Sequence, residues 1–456
     1  MDRQYLQEYF ANCADVQILE TSQGMIILYV SGLAKIERIY ELIISNSLER
    51  LPAKSVKYIK EIETAIFNGE LVVVDPIQDV IQSFITSNLP QRKPEDAVTE
   101  TTIKGARDGF TESIETNIAL IRKRIRTSTF KCEIYKLGKR SKTKVALLYI
   151  EDVANVELIE EARHRLSNIE LDVVIGNTSI EAALSDKTRS LVPLVDTTGR
   201  PDYAAECLNA GRFFVLIDGS SIGIIAPTSL ISLIRSPEDA YFTAPIVNMQ
   251  RALRILGGFL SIFLPGFLIA LTTYHFEQIP MPLLATLTAN RMGLPLSLPL
   301  EGFLALILFE LFKEAGIKLP KTVGPTVTVV GGLILSTATI EAGLTSPTVM
   351  LAMAVSVIAG YTLINTTISS VVPIIRMLVF VLSSLLGMFG FFMSFCLIVA
   401  LLGSKQSFGV PYLSPISPPI KSDFFKGVFK PFTVNNSTRP KNLHTQDETK
   451  RPEDSK

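Results

Sequence analysis

Long apolar segments dominate the second half of the chain. The first, residues 255–276 (ILGGFLSIFLPGFLIALTTYHF), has no formal charge before Glu277 and is long enough to cross a bilayer core of roughly 30 Å. Further apolar runs, separated by Pro, Gly, Lys and Arg, follow at 294–312, 322–344, 347–370 and 377–402. The pattern predicts a polytopic α-helical membrane domain of about five hydrophobic segments, residues 241–412, behind a water-soluble region.

The first half of the chain alternates between strand-like and helix-like patterns. Residues 26–41 (IILYVSGLAKIERIYE) and 146–161 (ALLYIEDVANVELIEE) align without a gap, and in each an apolar strand-like run precedes apolar residues spaced three and four apart. A hairpin signal follows each copy, Asn-Gly at 68–69 and Asp-Gly at 218–219. We therefore predict a duplication, with chance similarity between strand-helix units as the alternative.

The predicted fold class is an α+β cytoplasmic region of two related α/β subdomains, followed by the polytopic α-helical membrane domain. The subdomains span residues 1–100 and 101–240. Residues 235–239 (RSPED) are the predicted hinge into the membrane domain, with Arg251 and Arg254 at the cytoplasmic mouth of the first span.

Residues 105–126, between the two copies, predict one amphipathic helix. Its apolar stripe follows helical spacing and consists of Phe110, Ile114, Ile118, Ile121 and Ile125. Four basic residues from Arg122 to Arg126 close the segment, where cations interact favourably with the helix dipole. This basic end is either a solvated helix terminus or a contact site for lipid phosphates or a partner protein.

Composition narrows the function classes. The net charge of +0 argues against a nucleic-acid partner, which would require concentrated Lys and Arg. Four widely spaced cysteines and three histidines form no disulfide framework, zinc motif or catalytic motif, and no Gly-rich phosphate loop is present, so we expect no catalytic, cofactor-binding or metal-binding residues. The start of the chain has no secretory signal pattern, which predicts a cytoplasmic N-terminal half.

Ionisable residues in the apolar half are the candidates for an ion path or a gate, because an unpaired charge within a bilayer is costly. They are Glu301, Glu310, Glu341 and His275. Each has a plain structural alternative: the first turn of a helix for Glu301, the membrane interface for Glu310, a turn for Glu341 and an interfacial hydrogen bond for His275. Nine residues of helix place Glu301 and Glu310 on opposite sides, so both cannot line one pore.

The distribution of positive charge leaves the topology open. Five crossings that start inside the cell would place four lysines outside, against the positive-inside rule: Lys405, Lys421, Lys426 and Lys430. Either the run 377–402 is broken at its glycines, 387 and 390, or the stretch 281–296 also enters the membrane. The polar tail, residues 413–456, is predicted to be disordered.

A series of motifs resembles the A subunit of the spore nutrient germinant receptors, the GerA type. In chain order they read DGFTESIETNIALIRKRIR, GRPD, AGRFFVLIDG, SPEDAYF, LTTYHFEQIP, FELFKEAGIKLPKTVGPT, EAGLTSPTVM and SFGVPYLSP. The resemblance extends from about residue 20 to about residue 420 in the same order as in the family.

The resemblance implies a non-enzymatic integral protein of the spore inner membrane that acts with B and C subunits to detect a nutrient and start germination. It also implies a ligand-gated ion channel in which A subunits form a homo-oligomer and an amino acid or sugar binds largely through the B subunit. The family includes a non-receptor paralogue that acts downstream. A secondary transporter of the small molecule is the alternative function, and a membrane enzyme is a third.

Overall fold

Two antiparallel sheets and a helical region make up the described chain. The computed structural model of the protein describes residues 3–21, 24–34, 53–56, 58–76, 80–84, 104–186, 190–319, 324–431 and 438–449. The sheets occupy the first half of the chain and the long helices the second half, which agrees with the predicted order of a soluble α+β region and a helical region.

The first sheet has five strands in the order β1-β2-β4-β5-β3. Its elements are α1 (Arg3–Tyr9), β1 (Val16–Glu20), β2 (Ile26–Val30), β3 (Ala53–Ser55), α2 (Ile59–Phe67), β4 (Leu71–Asp75) and β5 (Val80–Phe84). Every residue of β2 is buried because alternate side chains enter apolar clusters on opposite faces of the sheet. Leu28 and Val30 face one cluster, and Ile27 and Tyr29 the other.

The second sheet repeats this strand order as β6-β7-β9-β10-β8. Its elements are α3 (Ile114–Arg122), β6 (Phe130–Leu137), β7 (Thr143–Ile150), α4 (Val156–Ser167), α5 (Thr178–Leu184), β8 (Asp196–Thr198), α6 (Pro201–Asn209), β9 (Phe213–Ile217) and β10 (Gly223–Ala226). The aligned segments begin in β2 and β7, which occupy the same place in the two sheets. Equal strand order is what a duplication would produce, and the duplication itself stays a prediction; residues 35–41 of the first copy lie outside the described residues.

The two predicted hairpin signals differ in the structure. Asp218 and Gly219 lie between the paired strands β9 and β10, as a hairpin requires. Asn68 instead ends α2, and Gly69 follows it with a φ of 84°. A glycine in the left-handed region just after a helix is a common way to terminate it, so the Asn-Gly dipeptide caps a helix and does not form a two-residue hairpin turn.

The predicted helix over 105–126 is shorter in the structure, and the first of its four basic residues is buried whereas the last, Arg126, is exposed. The helix α3 covers Ile114–Arg122, with the Ser113 side chain accepting a hydrogen bond from the backbone N–H of Thr116. Arg122 is fully buried and donates from Nε and Nη2 to both carboxylate oxygens of Asp15, each at 2.7 Å. The prediction of a solvated helix terminus or an exposed contact site is therefore wrong for Arg122.

The Arg122–Asp15 pair joins the two subdomains. Asp15 precedes β1 in the first, whereas Arg122 ends α3 in the second. The guanidinium also donates from Nη1 to the carbonyl of Phe130 at 3.0 Å and lies over the rings of Phe67 and Phe130, 4.5 and 4.3 Å from their centroids. A buried bidentate ion pair with its remaining donors satisfied holds the two sheets in one relative position.

The second half of the chain is helical. Its elements are α7 (Leu230–Ile234), a 3₁₀ turn (Pro237–Ala240), α8 (Ala244–Tyr274), α9 (Met281–Ala289), α10 (Leu298–Lys318), α11 (Gly324–Glu341), α12 (Pro347–Gly360), α13 (Thr366–Gly403) and α14 (Lys421–Val428). Within the described residues, α8 and α13 are long and apolar enough to cross a membrane, and α12 is apolar but shorter. The other predicted membrane segments stay predictions.

The longest helix, α13, folds back on itself. Gly387 interrupts it with φ 63° and ψ −141°, whereas 38 residues of straight helix would extend about 57 Å. Before the helix, Asn365 donates to Asp196 at 2.6 Å, and after it Ser407 donates to the Leu194 carbonyl at 2.6 Å. Both ends of α13 therefore lie beside the second subdomain, and the predicted run 377–402 is broken at its first glycine.

The tail returns to the soluble region. Lys430 Nζ donates to the carbonyls of Asp239 at 2.6 Å and Phe242 at 2.9 Å, and the backbone N–H of Gln446 donates to the Val153 carbonyl at 3.1 Å. A Cβ on Gly211 would lie 2.3 Å from a methyl carbon of the tail. The helix α14 and residues 438–449 thus pack on the fold, which differs from the predicted disordered tail.

We expect Arg122→Met to lower the free energy of unfolding of the soluble region by about 3–5 kcal/mol, because it leaves the buried carboxylate of Asp15 without its cation. Urea-dependent proteolysis of the detergent-solubilised protein measures this loss. Arg140→Met is the control, because its guanidinium and its partner Asp172 are largely exposed and the pair should contribute less than about 1 kcal/mol. Equal losses in the two variants would contradict the joining role of Arg122.

Candidate functional site

The junction between the second sheet and the long helices carries a buried ion cluster. Asp239, in the 3₁₀ turn, accepts from Nε of Arg251 at 2.8 Å and from Nη1 of Arg254 at 3.0 Å. The two arginines are three residues apart, so they share one face of α8. All three side chains are buried. The predicted hinge therefore leads directly into α8, and its arginines bind the hinge carboxylate.

A second cluster fixes the other side of the hinge. Arg200, at the start of α6, donates from Nη2 to Asp202 at 2.6 Å and from Nη1 to Glu238 at 2.5 Å. Glu238 also accepts from the backbone N–H of Lys104 at 3.0 Å, and the Tyr241 hydroxyl donates to Asp202 at 2.9 Å. The motifs GRPD and SPED, well separated in sequence, thus form one charged contact.

The carboxylates of this cluster stay ionised to low pH. Burial by itself disfavours the charged form, but the hydrogen bonds and positive charge of Arg200 outweigh it, so the pKa values of Asp202 and Glu238 lie below their ordinary range. The same carboxylates raise the pKa of the Arg200 guanidinium. The cluster therefore keeps its charges at any physiological pH.

A third contact links the sheet to α13. Asp196, a buried residue of β8, accepts from the side-chain amide of Asn365 at 2.6 Å. The Asn365 carbonyl oxygen in turn accepts from the backbone N–H of Thr367 at 3.0 Å and of Ile368 at 3.2 Å, which caps the helix. Burial raises the pKa of the Asp196 carboxyl. The sheet thereby contacts α13 through β8, whereas α8 is held by the hinge turn, which the Arg200–Glu238 pair connects to α6.

Glu301 and Glu310 both lie on the unbroken helix α10 and have different partners. Glu301 is 0% exposed; it accepts from Arg291 Nε at 3.2 Å and from the N–H and hydroxyl of Ser346, both at 3.0 Å. Glu310 accepts from Nη2 of Arg376 at 2.9 Å, which connects α10 to α13. Each carboxylate joins elements that lie far apart in the sequence.

Glu341 and His275 lie apart from those two pairs. Glu341 is the last residue of α11 and is exposed, and its carboxylate forms no hydrogen bond or ion pair with another described residue. His275 ends α8, and its Nδ1 is 3.7 Å from the Glu277 carboxylate. The structure does not bring the four predicted ion-path residues together at one place.

A cavity of about 330 Å³ lies beside the Glu301 ion pair. Its wall combines apolar side chains from α8, α9 and α12 with polar groups that include Thr272, Arg291 and Ser346. A mostly apolar pocket with a few convergent polar groups is the usual form of a small-molecule site.

Sequence reasoning identified the hinge but did not single out Asp196, Asn365 or Asp239. For Asp239, the sequence did contain a signal. Two arginines spaced three apart follow soon after the acidic RSPED segment, and this spacing suits a carboxylate held between two guanidiniums. No local signal connects Asp196 with Asn365, because their contact depends on how the sheet docks on the helices.

The fold and this junction define the class: an α+β region joined through buried charged contacts to a helical region that contains two helices long and apolar enough to cross a membrane. Comparison with known proteins gives the family. The profile described as Bacillus/Clostridium GerA spore germination protein matches residues 4–442. The chain therefore belongs to the GerA spore germination protein family, which confirms the resemblance in its motifs.

Two individual proteins and one solved structure illustrate what this chain is similar to. Spore germination protein XA of Bacillus anthracis is 42% identical over 392 residues, 86% of this chain and 80% of the relative. The uncharacterized membrane protein YfkQ of Bacillus subtilis (strain 168) is 30% identical over 439 residues, 91% of this chain and 85% of the relative. The crystal structure of the N-terminal domain of the A subunit of the Bacillus megaterium spore germinant receptor GerK3 aligns with a TM-score of 0.38 and 24% identity over 49% of this chain and 92% of that chain.

We expect Arg200→Met to reduce the acid sensitivity of the junction. A depressed carboxyl pKa contributes stability that is fully present above the ordinary value, near pH 4, and is lost as the pH falls through the folded-state value. Without the guanidinium this contribution disappears, so the variant should be less stable at pH 7 and should lose less further stability by pH 3. Urea midpoints at both pH values test this; equal losses from pH 7 to pH 3 in variant and wild type would contradict it.

Proposed function

We propose that this protein is the A subunit of a spore germinant receptor. It acts with B and C subunits in the spore inner membrane, with its N-terminal region in the cytoplasm, to detect a nutrient and start germination. Membership of the GerA family and relatives named as spore germination proteins support the proposal. The observation that carries its mechanism is that the second subdomain is linked to both long helices, to α8 through Asp239 of the hinge and to α13 through Asp196 of β8.

The proposed mechanism is a non-enzymatic, ligand-gated ion channel built from several A subunits. The nutrient, an amino acid or a sugar, binds largely through the B subunit. Binding shifts the channel only if it favours the open arrangement over the closed one. Because the hinge and β8 are fixed to the two helices by buried polar contacts, a shift in either part must be accompanied by a shift in the other.

Deletion of the gene should abolish germination with at least one nutrient and leave germination with unrelated nutrients unchanged. Spores are scored against a panel of amino acids and sugars, and complementation with the wild-type gene is the control. A receptor subunit has such a nutrient-specific defect, whereas a downstream germination protein would affect every nutrient equally. Normal germination with the whole panel, in a strain without overlapping receptors, would contradict the receptor role.

Of the four candidate ion-path residues, Glu301, Glu310, Glu341 and His275, we propose Glu341 for the ion path, because the carboxylates of Glu301 and Glu310 are engaged by arginines. Glu341 has an exposed carboxylate at a helix end, so it can attract a passing cation. Glu341→Gln should slow nutrient-triggered cation release several-fold without changing the amount of protein. Glu314→Gln is the matched control, because this exposed carboxylate of α10 pairs with Lys318. Unchanged release in Glu341→Gln removes this carboxylate from the path.

A secondary transporter is the second candidate function, and the cavity beside Glu301 favours it. A carrier binds its substrate within the helical region and exposes the site alternately to the two sides. Proteoliposomes distinguish the two functions. Accumulation of labelled nutrient without ion current supports the carrier, whereas ion current without accumulation supports the channel.

A further inference from the structure

A second, smaller cavity lies at the base of the first long helix. Its volume is about 160 Å³, and the end of α6, the hinge, the start of α8 and the returning tail enclose it. Four cationic side chains line it: Arg235, Arg251, Lys426 and Lys430. The cavity lies at the end of α8 that is nearest the soluble region, where a bilayer would place its phosphate groups.

Arg235 is the cation whose charge is least compensated. Its Nε and Nη2 donate to the carbonyls of Gly427 and Lys426 at 3.4 and 3.1 Å. These carbonyls satisfy two of the five guanidinium N–H groups, but they carry no full negative charge. In the part of the chain that the structure describes, no carboxylate forms an ion pair with Arg235. Burial and the nearby charges of Arg251 and Arg212 lower the pKa of Arg235 by more than the charge of Glu206 raises it.

The surrounding charges do not remove this excess. Three carboxylates also line the cavity, those of Glu206, Asp239 and Asp423. Asp239 is already shared between Arg251 and Arg254, and Asp423 accepts from the backbone N–H groups of Lys441 and Asn442. Glu206 is exposed and forms no ion pair with the cavity cations among the described residues. The ammonium of Lys430 donates only to backbone carbonyls. Nearby, the buried Nε of Arg212 has no hydrogen-bond partner among the described residues.

Charges inside a fold are normally paired. This cavity has four cations against three carboxylates, and two of these carboxylates are already engaged by other donors, so it should take up an anion.

We propose that this cavity binds a phosphate group through Arg235, with Arg251 and the two lysines contributing positive charge. Guanidinium groups suit phosphate because their planar N–H donors match pairs of phosphate oxygens. The volume fits a small anion or a lipid headgroup and not a nucleotide. The phosphate comes either from an anionic phospholipid of the surrounding bilayer or from a free phosphate ion. The site goes beyond the proposed receptor function and does not depend on it.

The test uses the full-length protein in lipid nanodiscs at constant ionic strength. Discs of phosphatidylcholine alone are compared with discs that contain phosphatidylglycerol, and inorganic phosphate is titrated into the neutral discs. Because a bound anion stabilises the folded state, we expect the unfolding temperature to rise by several degrees with one of the two sources. A rise with inorganic phosphate identifies a free-anion site, and a rise only with phosphatidylglycerol identifies a lipid site.

Variants locate the effect at the cavity. Arg235→Gln should weaken the apparent affinity at least about tenfold, equivalent to about 1.4 kcal/mol, whereas Arg140→Gln removes an exposed guanidinium and should leave it unchanged. If Arg235→Gln does not fold, Lys426→Gln takes its place with the same expected direction. No rise with either source, or an equal rise in the cavity variants and Arg140→Gln, would overturn the proposal.

Discussion

The structure depends on one buried carboxylate, that of Asp239, held between the guanidiniums of Arg251 and Arg254. Removing three charges from water costs several kcal/mol for each ion, and their mutual attraction offsets this only when the geometry is good. The hinge therefore cannot separate from α8 without exposing unpaired charges to a poorly solvated environment. The ion cluster therefore fixes the α+β region to α8 at the point where the sequence changes from polar to apolar.

After the long helices, the chain returns to the ion cluster around Asp239. Gly387 reverses α13, so the helix starts and ends beside the second sheet, and the tail then contacts the hinge through Lys430. The start of α8, both ends of α13 and the tail thus all lie at the end of the helical region that faces the second sheet. A rearrangement of the helices that moves α8 relative to α13 must also disturb these contacts.

Local sequence patterns predicted helices and strands correctly where the spacing of apolar residues determines the secondary structure. The strand-like starts of the two aligned segments became β2 and β7, and the apolar run at 377–402 broke at a glycine. Prediction failed where a residue's role depends on a distant partner. Arg122 resembled a solvated helix end because its partner Asp15 is 107 residues away, and sequence period carries no information about such a pairing.

In the candidate site, too, the residues could be predicted from the sequence but their partners could not. The carboxylates of the apolar half could be selected from the sequence, because placing a charge among apolar residues costs free energy unless the charge has a partner or a function. Their partners could not be predicted: Glu301 binds Arg291 and Ser346, and Glu310 binds Arg376. These contacts follow from the packing of α10 against α12 and α13, which no local pattern encodes.

The central claim is that the soluble region and the tail lie on the same, cytoplasmic, side of the membrane while the far end of α8 lies on the other. Single cysteines at the exposed positions Lys139, Lys441 and Glu277, in a background with the exposed Cys396 replaced by serine, test it most directly. In intact protoplasts an impermeant maleimide should label Glu277→Cys alone, and permeabilisation should add Lys139→Cys and Lys441→Cys. Labelling of Lys441→Cys or Lys139→Cys before permeabilisation would contradict the account.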